Sequence, residues 1–270
     1  KVEEAIATLP QNSLVLLENV RFYEAEEKPE KDPDFAKNLA KLGDIYVNDA
    51  FGTAHRAHSS TCTIAQYFPE KKAMGFLLEK ETKFLQDALL NPQKPFHAIV
   101  GGAKVSTKIG VLQAVLQKED IIYNGGAMAY TFFKAQEVAI GTSLFEESFL
   151  HVAKELLKIP KIVLPVDIVI TDNLKNPQTI QTIDIEKGIP DGFKGVDIGP
   201  KTQKLWKEKF ASAKTLLWNG PVGVFENEKF AQGTNFIAHS LANMPNTITI
   251  IGGGDSVAAI EKLHLQEKMT

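Results

Sequence analysis

The stretch VNDAFGTAHRAHSS, residues 47–60, brings Asp49, His55, Arg56 and His58 together among Ala, Gly, Ser and Thr. Three chemistries could use that mixture: a metal held on two histidines, an acid/base pair, or a loop shaped to receive an anion. The stretch alone does not choose between them.

The arginines narrow the choice. Of the 30 basic residues only Arg21, in LLENVRFY, and Arg56 are arginine, and the rest are lysine. Lysine suffices for solubility, whereas a planar guanidinium suits a two-pronged grip on phosphate or carboxylate. Two arginines in a lysine-rich chain are therefore candidates for recognition.

Further chemistry sits beside glycines. In GGAKVSTK (101–108), Lys104 and Lys108 are four apart, which places both ammonium groups on one face just past a turn. NGGAMAYTF (124–132) and NGPVGVFE (219–226) also close apolar runs on glycine, and in GGGDS (252–256) Asp255 could take a magnesium bound to phosphates. One Gly-Gly pair is most simply a tight turn. Four at corresponding strand ends point to a ligand, because glycines admit it closely and helix starts offer free N–H groups. The spacing matches neither a P-loop nor the G-x-G-x-x-G dinucleotide fingerprint, which argues against a dehydrogenase.

The elements that must position these groups alternate. SLVLLEN (13–19) reads as a strand, DPDFAKNLAKLG (32–43) as a helix with Asp32 as N-cap, Pro33 in its first turn and Gly43 as its stop, and DIYVNDAFG (44–52) as the next strand. GFLLEKETKFLQDALLNP (75–92) is one amphipathic helix, carried by Leu77, Leu78, Phe84, Leu85, Ala88 and Leu89. Beyond it FHAIVGG, IIYNGG, KIVLPVDIV, TLLWNGPVG and ITIIGGGDS are continuous apolar runs, the pattern of strands buried on both faces. The fold class is α/β, with two domains of parallel sheets covered by helices in the Rossmann manner.

Composition bounds the rest. The 270 residues are 44% hydrophobic and 23% charged, enough for one large or two modest cores, and a net charge of -3 gives no reason to expect nucleic acid or an anionic membrane. The lone Cys62 excludes an internal disulfide and fits a reducing, cytoplasmic home. No apolar run reaches membrane-span length and no signal pattern opens the chain. KVEEAIATL reads as a helix rather than a native start.

Taken with ENVRFY, GFLLEKE and GPKT (199–202), these motifs strongly resemble phosphoglycerate kinase, and the resemblance spans residues 18–256. It implies that Arg21 and Arg56 bind the triose phosphate of 3-phosphoglycerate or 1,3-bisphosphoglycerate. Lys104 and Lys108 become the catalytic and nucleotide-side cations, with Lys108 nearer the phosphoryl group in flight. Asn219, with Gly220, Pro221 and Val224, lies near the ADP or ATP phosphates, and Glu226 resembles the ribose ligand. Asp255 matches the aspartate linked to Mg2+, flanked by Gly253, Gly254 and Ser256. Gly101, Gly102, Gly125 and Gly126 would line the adenine and ribose slot, which Ala127, where the family often has a third glycine, narrows slightly. In the opening stretch Arg56 is then the functional residue. His55 and His58 are hydrogen-bonded supports, since no third ligand accompanies them for a metal, and Asp49 is an orienting or capping carboxylate.

The resemblance implies residues 1–75 as an incomplete triose-phosphate domain, 76–91 as an interdomain helix and 92–270 as a nucleotide domain lacking its terminal segment. The family's upstream D-x-N-V-P-type and H-L-G-R-P-type segments do not occur here. The expected activity is reversible phosphoryl transfer from 1,3-bisphosphoglycerate to ADP by a glycolytic, monomeric enzyme. The chain as it stands is expected to be inactive alone, and the competing reading is a non-catalytic nucleotide-binding fragment.

Overall fold

The computed structural model describes residues 2–118 and 120–270, apart from the side chains of Leu85, Asp87, Ala88, Leu89 and Val115. Its residues divide into two compact units, Lys1–Asn91 and Pro92–Thr270.

The first unit contains helices α1 (Val2–Ala7), α2 (Glu24–Glu27), α3 (Pro33–Ala40) and α4 (Phe76–Leu90) with strands β1 (Tyr46–Asn48) and β2 (Lys72–Met74). α3 starts as its sequence requires: the Asp32 carboxylate accepts the Asp34 N–H at 3.1 Å and Pro33 opens the first turn. α4 matches the expected amphipathic helix, though Leu85, Ala88 and Leu89, on which part of that reading rested, lie outside the described side chains. β1 is shorter than expected because the Asn48 side chain turns back to accept the Ala50 N–H at 3.0 Å, ending the strand.

SLVLLEN forms no strand. Leu14 and Leu16 are 98% and 96% exposed, and the described sheet of this unit holds only β1 paired in parallel with β2. An apolar run becomes a strand only where a neighbour completes its hydrogen-bond ladder, and no described strand lies beside this one.

In the second unit a five-stranded sheet has the order β10-β9-β3-β4-β5, every pairing parallel. These strands are β3 (Phe96–Val100), β4 (Ile121–Asn124), β5 (Ile162–Val163), β9 (Thr215–Asn219) and β10 (Ile248–Gly252). β3 is buried at every position, as a strand covered on both faces must be. The helices are α5 (Val105–Leu116), α6 (Met128–Ala135), α7 (Leu150–Leu157), α8 (Pro200–Phe210), α9 (Gln232–Ala242) and α10 (Gly254–Lys262). One core cluster gathers Ile99, Tyr123, Trp206, Phe210, Trp218 and Ile237. The Tyr123 and Phe210 rings meet edge to face there, 4.7 Å between centroids.

KIVLPVDIV is two strands, not one. Pro165 interrupts it, since proline has no N–H for a ladder. After β5 the chain leaves the parallel sheet, and β6 (Asp167–Thr171) pairs antiparallel with β7 (Ile180–Asp184) and β8 (Lys194–Ile198) in a separate sheet ordered β7-β6-β8. Ile168 and Ile170 of this sheet pack with Tyr130 and Phe133 of α6 in a second core cluster.

A buried carboxylate of the three-stranded sheet holds the start of α8. Asp167 accepts the N–H groups of Lys201 (2.9 Å) and Thr202 (2.7 Å) in the first turn of α8 and the Thr202 hydroxyl (2.6 Å). The same hydroxyl oxygen accepts the Val166 and Asp167 N–H groups. A methyl on Gly199 would strike the Asp167 carboxyl. The GPKT stretch is thus a helix start built around one aspartate: glycine for clearance, proline at the first helical position, threonine for the reciprocal bonds.

Candidate nucleotide and anion sites

In the second unit the carboxyl ends of β3, β9 and β10 lie side by side, with Val100 opposite Asn219 and Asn219 opposite Gly252. This register brings three glycine stretches, distant in sequence, to one edge. They touch through backbone: the Gly101 N–H donates to the Asn219 carbonyl at 2.9 Å and the Gly102 N–H to that of Pro221 at 2.9 Å. Gly126 adopts φ +70° with the Gly102 and Pro221 backbone against its Cα, so no side chain fits there.

Two helices begin at this edge, and their N-termini differ. α5 is already occupied: the Glu146 carboxylate accepts the Ser106 N–H (2.9 Å) and the Ser106 hydroxyl (2.5 Å). These bonds, with one from the Val105 N–H and the nearby charge of Lys104, hold its carboxyl below the usual glutamate range against the opposing effect of burial. α10 starts at Gly254 with Gly253 at its N-cap position, which has no side chain to cap it, and the exposed Asp255 stands in its first turn. Of the two, α10 is the end left for an anion.

Lys108, on α5, donates from Nζ to the Asn219 side-chain oxygen, and the same ammonium lies beside Gly253. Burial lowers its pKa, while the Asp255 charge raises it. A partly desolvated cation therefore stands next to the open start of α10. Lys104 is exposed one residue before α5.

A cavity of about 190 Å³ adjoins this cluster, lined by Gly102, Gly126, Ala127, Tyr130, Gly195, Pro221, Gly223, Val224, Glu226 and Asp255 among others. Expected residues fall in three places. Gly102, Gly126, Pro221, Val224, Glu226 and Asp255 face the cavity. Lys108, Asn219 and Gly253 form the neighbouring polar cluster, Gly254 opens α10, and Lys104 is exposed just before α5, outside the cavity lining. Gly101, Gly125, Gly220 and Ser256 are buried beneath: the Ser256 hydroxyl accepts the Gly220 N–H at 2.7 Å, and Gly125 packs against Val222. Tyr130, Gly195 and Gly223 were not singled out from sequence. Gly195 carries the clearest reason, since the Tyr130 hydroxyl packs where its Cβ would stand. Its only signal was a glycine inside FKGVDIGP, a strand the apolar-run pattern does not mark.

In the first unit a cavity of about 300 Å³ is lined by Asn19, Arg21, Glu26, Asn48, Asp49, His58 and Ser60 among others. Arg21 reaches Glu27 at 3.6 Å, both exposed. Arg56 is not in the lining; its Nε contacts His55 Nε2 at 3.4 Å and it stays exposed. The histidines differ from expectation. His55 has that contact, but the buried His58 Nδ1 has no partner, and His58 shapes the loop through its backbone carbonyl, which accepts the Cys62 N–H at 2.9 Å. The loop's anchor is Glu26, 2% exposed, whose carboxylate accepts the Ser60 N–H (3.0 Å) and hydroxyl (2.6 Å). Asp49 is a capping carboxylate: it accepts the Leu78 N–H at 2.9 Å in the first turn of α4, and Gly75 leaves it the space.

Among the described residues no group of three or more His, Cys, Asp or Glu side chains could hold a metal. A single carboxylate at a helix start fits an ion held mainly by nucleotide phosphates, and Asp255 is such a carboxylate. No described helix is long and apolar enough to cross a membrane.

Residues 1–270 match the family described as "Phosphoglycerate kinase". A phosphoglycerate kinase of Trichodesmium erythraeum is 51% identical over all of this chain and 68% of its own length. "Phosphoglycerate kinase 3, cytosolic" of Arabidopsis thaliana is 50% identical with the same coverage. Among solved structures, the phosphoglycerate kinase of Coxiella burnetii aligns with TM-score 0.77 at 42% identity, covering 93% of this chain and 65% of that one. That of Pyrococcus horikoshii aligns with TM-score 0.81 at 32% identity, covering 97% and 67%. The chain thus spans about two thirds of the length of these relatives.

Proposed function

The chain belongs to the phosphoglycerate kinase family, and on that premise we propose that it serves reversible transfer of a phosphoryl group between the acyl phosphate of 1,3-bisphosphoglycerate and ADP, giving 3-phosphoglycerate and ATP. The observation that carries the reading is the meeting of Lys108, Asn219 and the uncapped start of α10 at the ends of adjacent parallel strands. Phosphoryl transfer asks a protein for position and charge more than for covalent chemistry.

Each group then has a task. Gly102 and Gly126 admit the base and ribose, and the Glu226 carboxylate accepts ribose hydroxyls. The start of α10 seats nucleotide phosphates. Asn219 steers the Lys108 ammonium toward the phosphoryl group, whose developing charge a half-buried cation stabilises strongly. Lys104 adds a second positive charge at the same edge. Asp255 would hold Mg2+ on the nucleotide, which neutralises phosphate charge. Arg21 and Arg56 grip the triose phosphate, with residues 1–75 as its domain, 76–91 as the joining helix and 92–270 as the nucleotide domain. A cytoplasmic monomer is the form we assign.

Steady-state kinetics of the full-length protein, with 3-phosphoglycerate and Mg-ATP, test the scheme. Lys108→Ala is expected to lower kcat by roughly a hundredfold with a smaller change in nucleotide KM, since its contact strengthens in the transition state. Arg56→Lys keeps the charge but loses the fork, so it should raise KM for 3-phosphoglycerate and leave that for nucleotide nearly intact. Unchanged turnover in the first variant removes Lys108 from the mechanism, and unchanged KM in the second removes Arg56.

A further inference from the structure

The segment 220–231 joins β9 to α9 and supplies Pro221, Gly223, Val224 and Glu226 to the cavity of the second unit. Two glycines that bracket Glu226, Gly223 within the segment and Gly233 just past it in α9, meet one side chain. Asp197 of β8, 2% exposed, accepts the Gly233 N–H at 2.6 Å in the first turn of α9 and the Ile198 N–H at 2.9 Å. Its carboxyl also lies against Gly223 at the cavity wall. At neither Gly223 nor Gly233 would a methyl fit without displacing it. β8 adds a second tie of its own, the Val224 N–H donating to the Val196 carbonyl at 2.8 Å.

A carboxyl is a costly choice here. Burial pushes it up to about 7, with the Gly233 and Ile198 N–H groups pulling the other way, and it forms no ion pair among the described residues. Capping α9 alone does not explain it, because an exposed Ser or Asn at the helix start does that without burying an acid. What Asp197 has that an ordinary cap lacks is simultaneous contact with both ends of the wall.

We propose that Asp197 is a positioning residue for nucleotide recognition, clasping Gly223 to Gly233 so that the wall between them presents Glu226 to the ligand. The proposal rests on reading this cavity as the nucleotide slot. Asp197 does not line the cavity itself, so its influence passes through the wall and Glu226.

The test is calorimetric titration of Mg-ADP into the 270-residue chain and its variants, with circular dichroism to verify folding. Asp197→Ala strands two buried N–H groups and should weaken binding by roughly tenfold, while Asp197→Asn, which keeps one carbonyl acceptor, should recover most of the loss. In a Glu226→Ala background, Asp197→Ala should cost less than about twofold, because its effect is transmitted through the residue already removed. Gly233→Ala lies outside the cavity and pushes on the Asp197 carboxyl from α9. It should reproduce the loss and the same dependence on Glu226, and it decides the matter if Asp197→Ala fails to fold. Equal losses with and without Glu226, or unchanged affinity in folded Asp197→Ala or Gly233→Ala, overturn the proposal alone. Failure of the unmodified chain to bind Mg-ADP overturns the nucleotide reading, and the proposal with it.

Discussion

Asp197 holds its proton more tightly in the fold than in the unfolded chain, where its carboxyl has its ordinary value of 3.8; burial raises this to about 7. A group with a raised folded pKa contributes stability that is complete below the unfolded value and lost as pH rises through the folded one. The second unit should therefore lose up to about 4 kcal/mol from this residue between pH 4 and 7, the equivalent of the shift. Asp120, Asp172 and Asp184 work in the opposite direction, their carboxyls being held low by hydrogen bonds. The informative measurement is thus the difference in unfolding free energy between the wild type and Asp197→Asn as a function of pH. That difference should shift in favour of the variant across this window; a constant difference would show that Asp197 does not titrate there.

The helices depend on side chains from far along the chain. Thr202→Val keeps the shape of the Asp167 clasp and its two backbone N–H bonds, but removes the hydroxyl from the Asp167 carboxylate and the hydroxyl acceptor from the partly buried Val166 N–H. A loss of about 2–3 kcal/mol is expected, visible as a lower denaturant midpoint with an unchanged slope. The same clasp shows where sequence reading succeeds and where it stops. α3 and α4 were legible because their signals, Asp32, Pro33 and the apolar spacing, are local. GPKT was legible as a motif but not as a mechanism, since Asp167 is 35 positions from Thr202. β7 and β8 were missed because neither is a continuous apolar run: β7 is largely exposed and β8 is buried only toward its end. SLVLLEN was misread because apolarity specifies burial but not the strand that must lie beside it. At the site, the glycine stretches were visible in advance, whereas Tyr130, Gly195 and the division of labour between Glu146 and α10 appear only when register brings distant segments together.

Across the whole chain the two units are unequally provided. The first exposes Leu14, Leu16, Phe22 and Phe76, between 74% and 98% of each, whereas the second buries both tryptophans completely. Burial of apolar side chains is the main source of stability, so the first unit should unfold at lower temperature. Differential scanning calorimetry of the 270-residue chain is expected to show two transitions, with Mg-ADP raising only the later one by mass action. A single transition that shifts as a whole would show that the units are stable only together.

The Glu146 carboxylate at the start of α5 also has a consequence for competition among dissolved anions. A helix end that is already neutralised by the chain's own acid cannot be captured by whatever small anion is abundant in solution. Glu146→Ala would expose the Val105 and Ser106 N–H groups beside Lys104 and create a second pocket for sulfate. Sulfate should then antagonise Mg-ADP more effectively in the variant than in the wild type at equal ionic strength. Equal antagonism in both would show that Glu146 shields nothing. The residue is a built-in counter-ion for α5, and under the proposed function it would leave α10 as the helix start open to nucleotide phosphates.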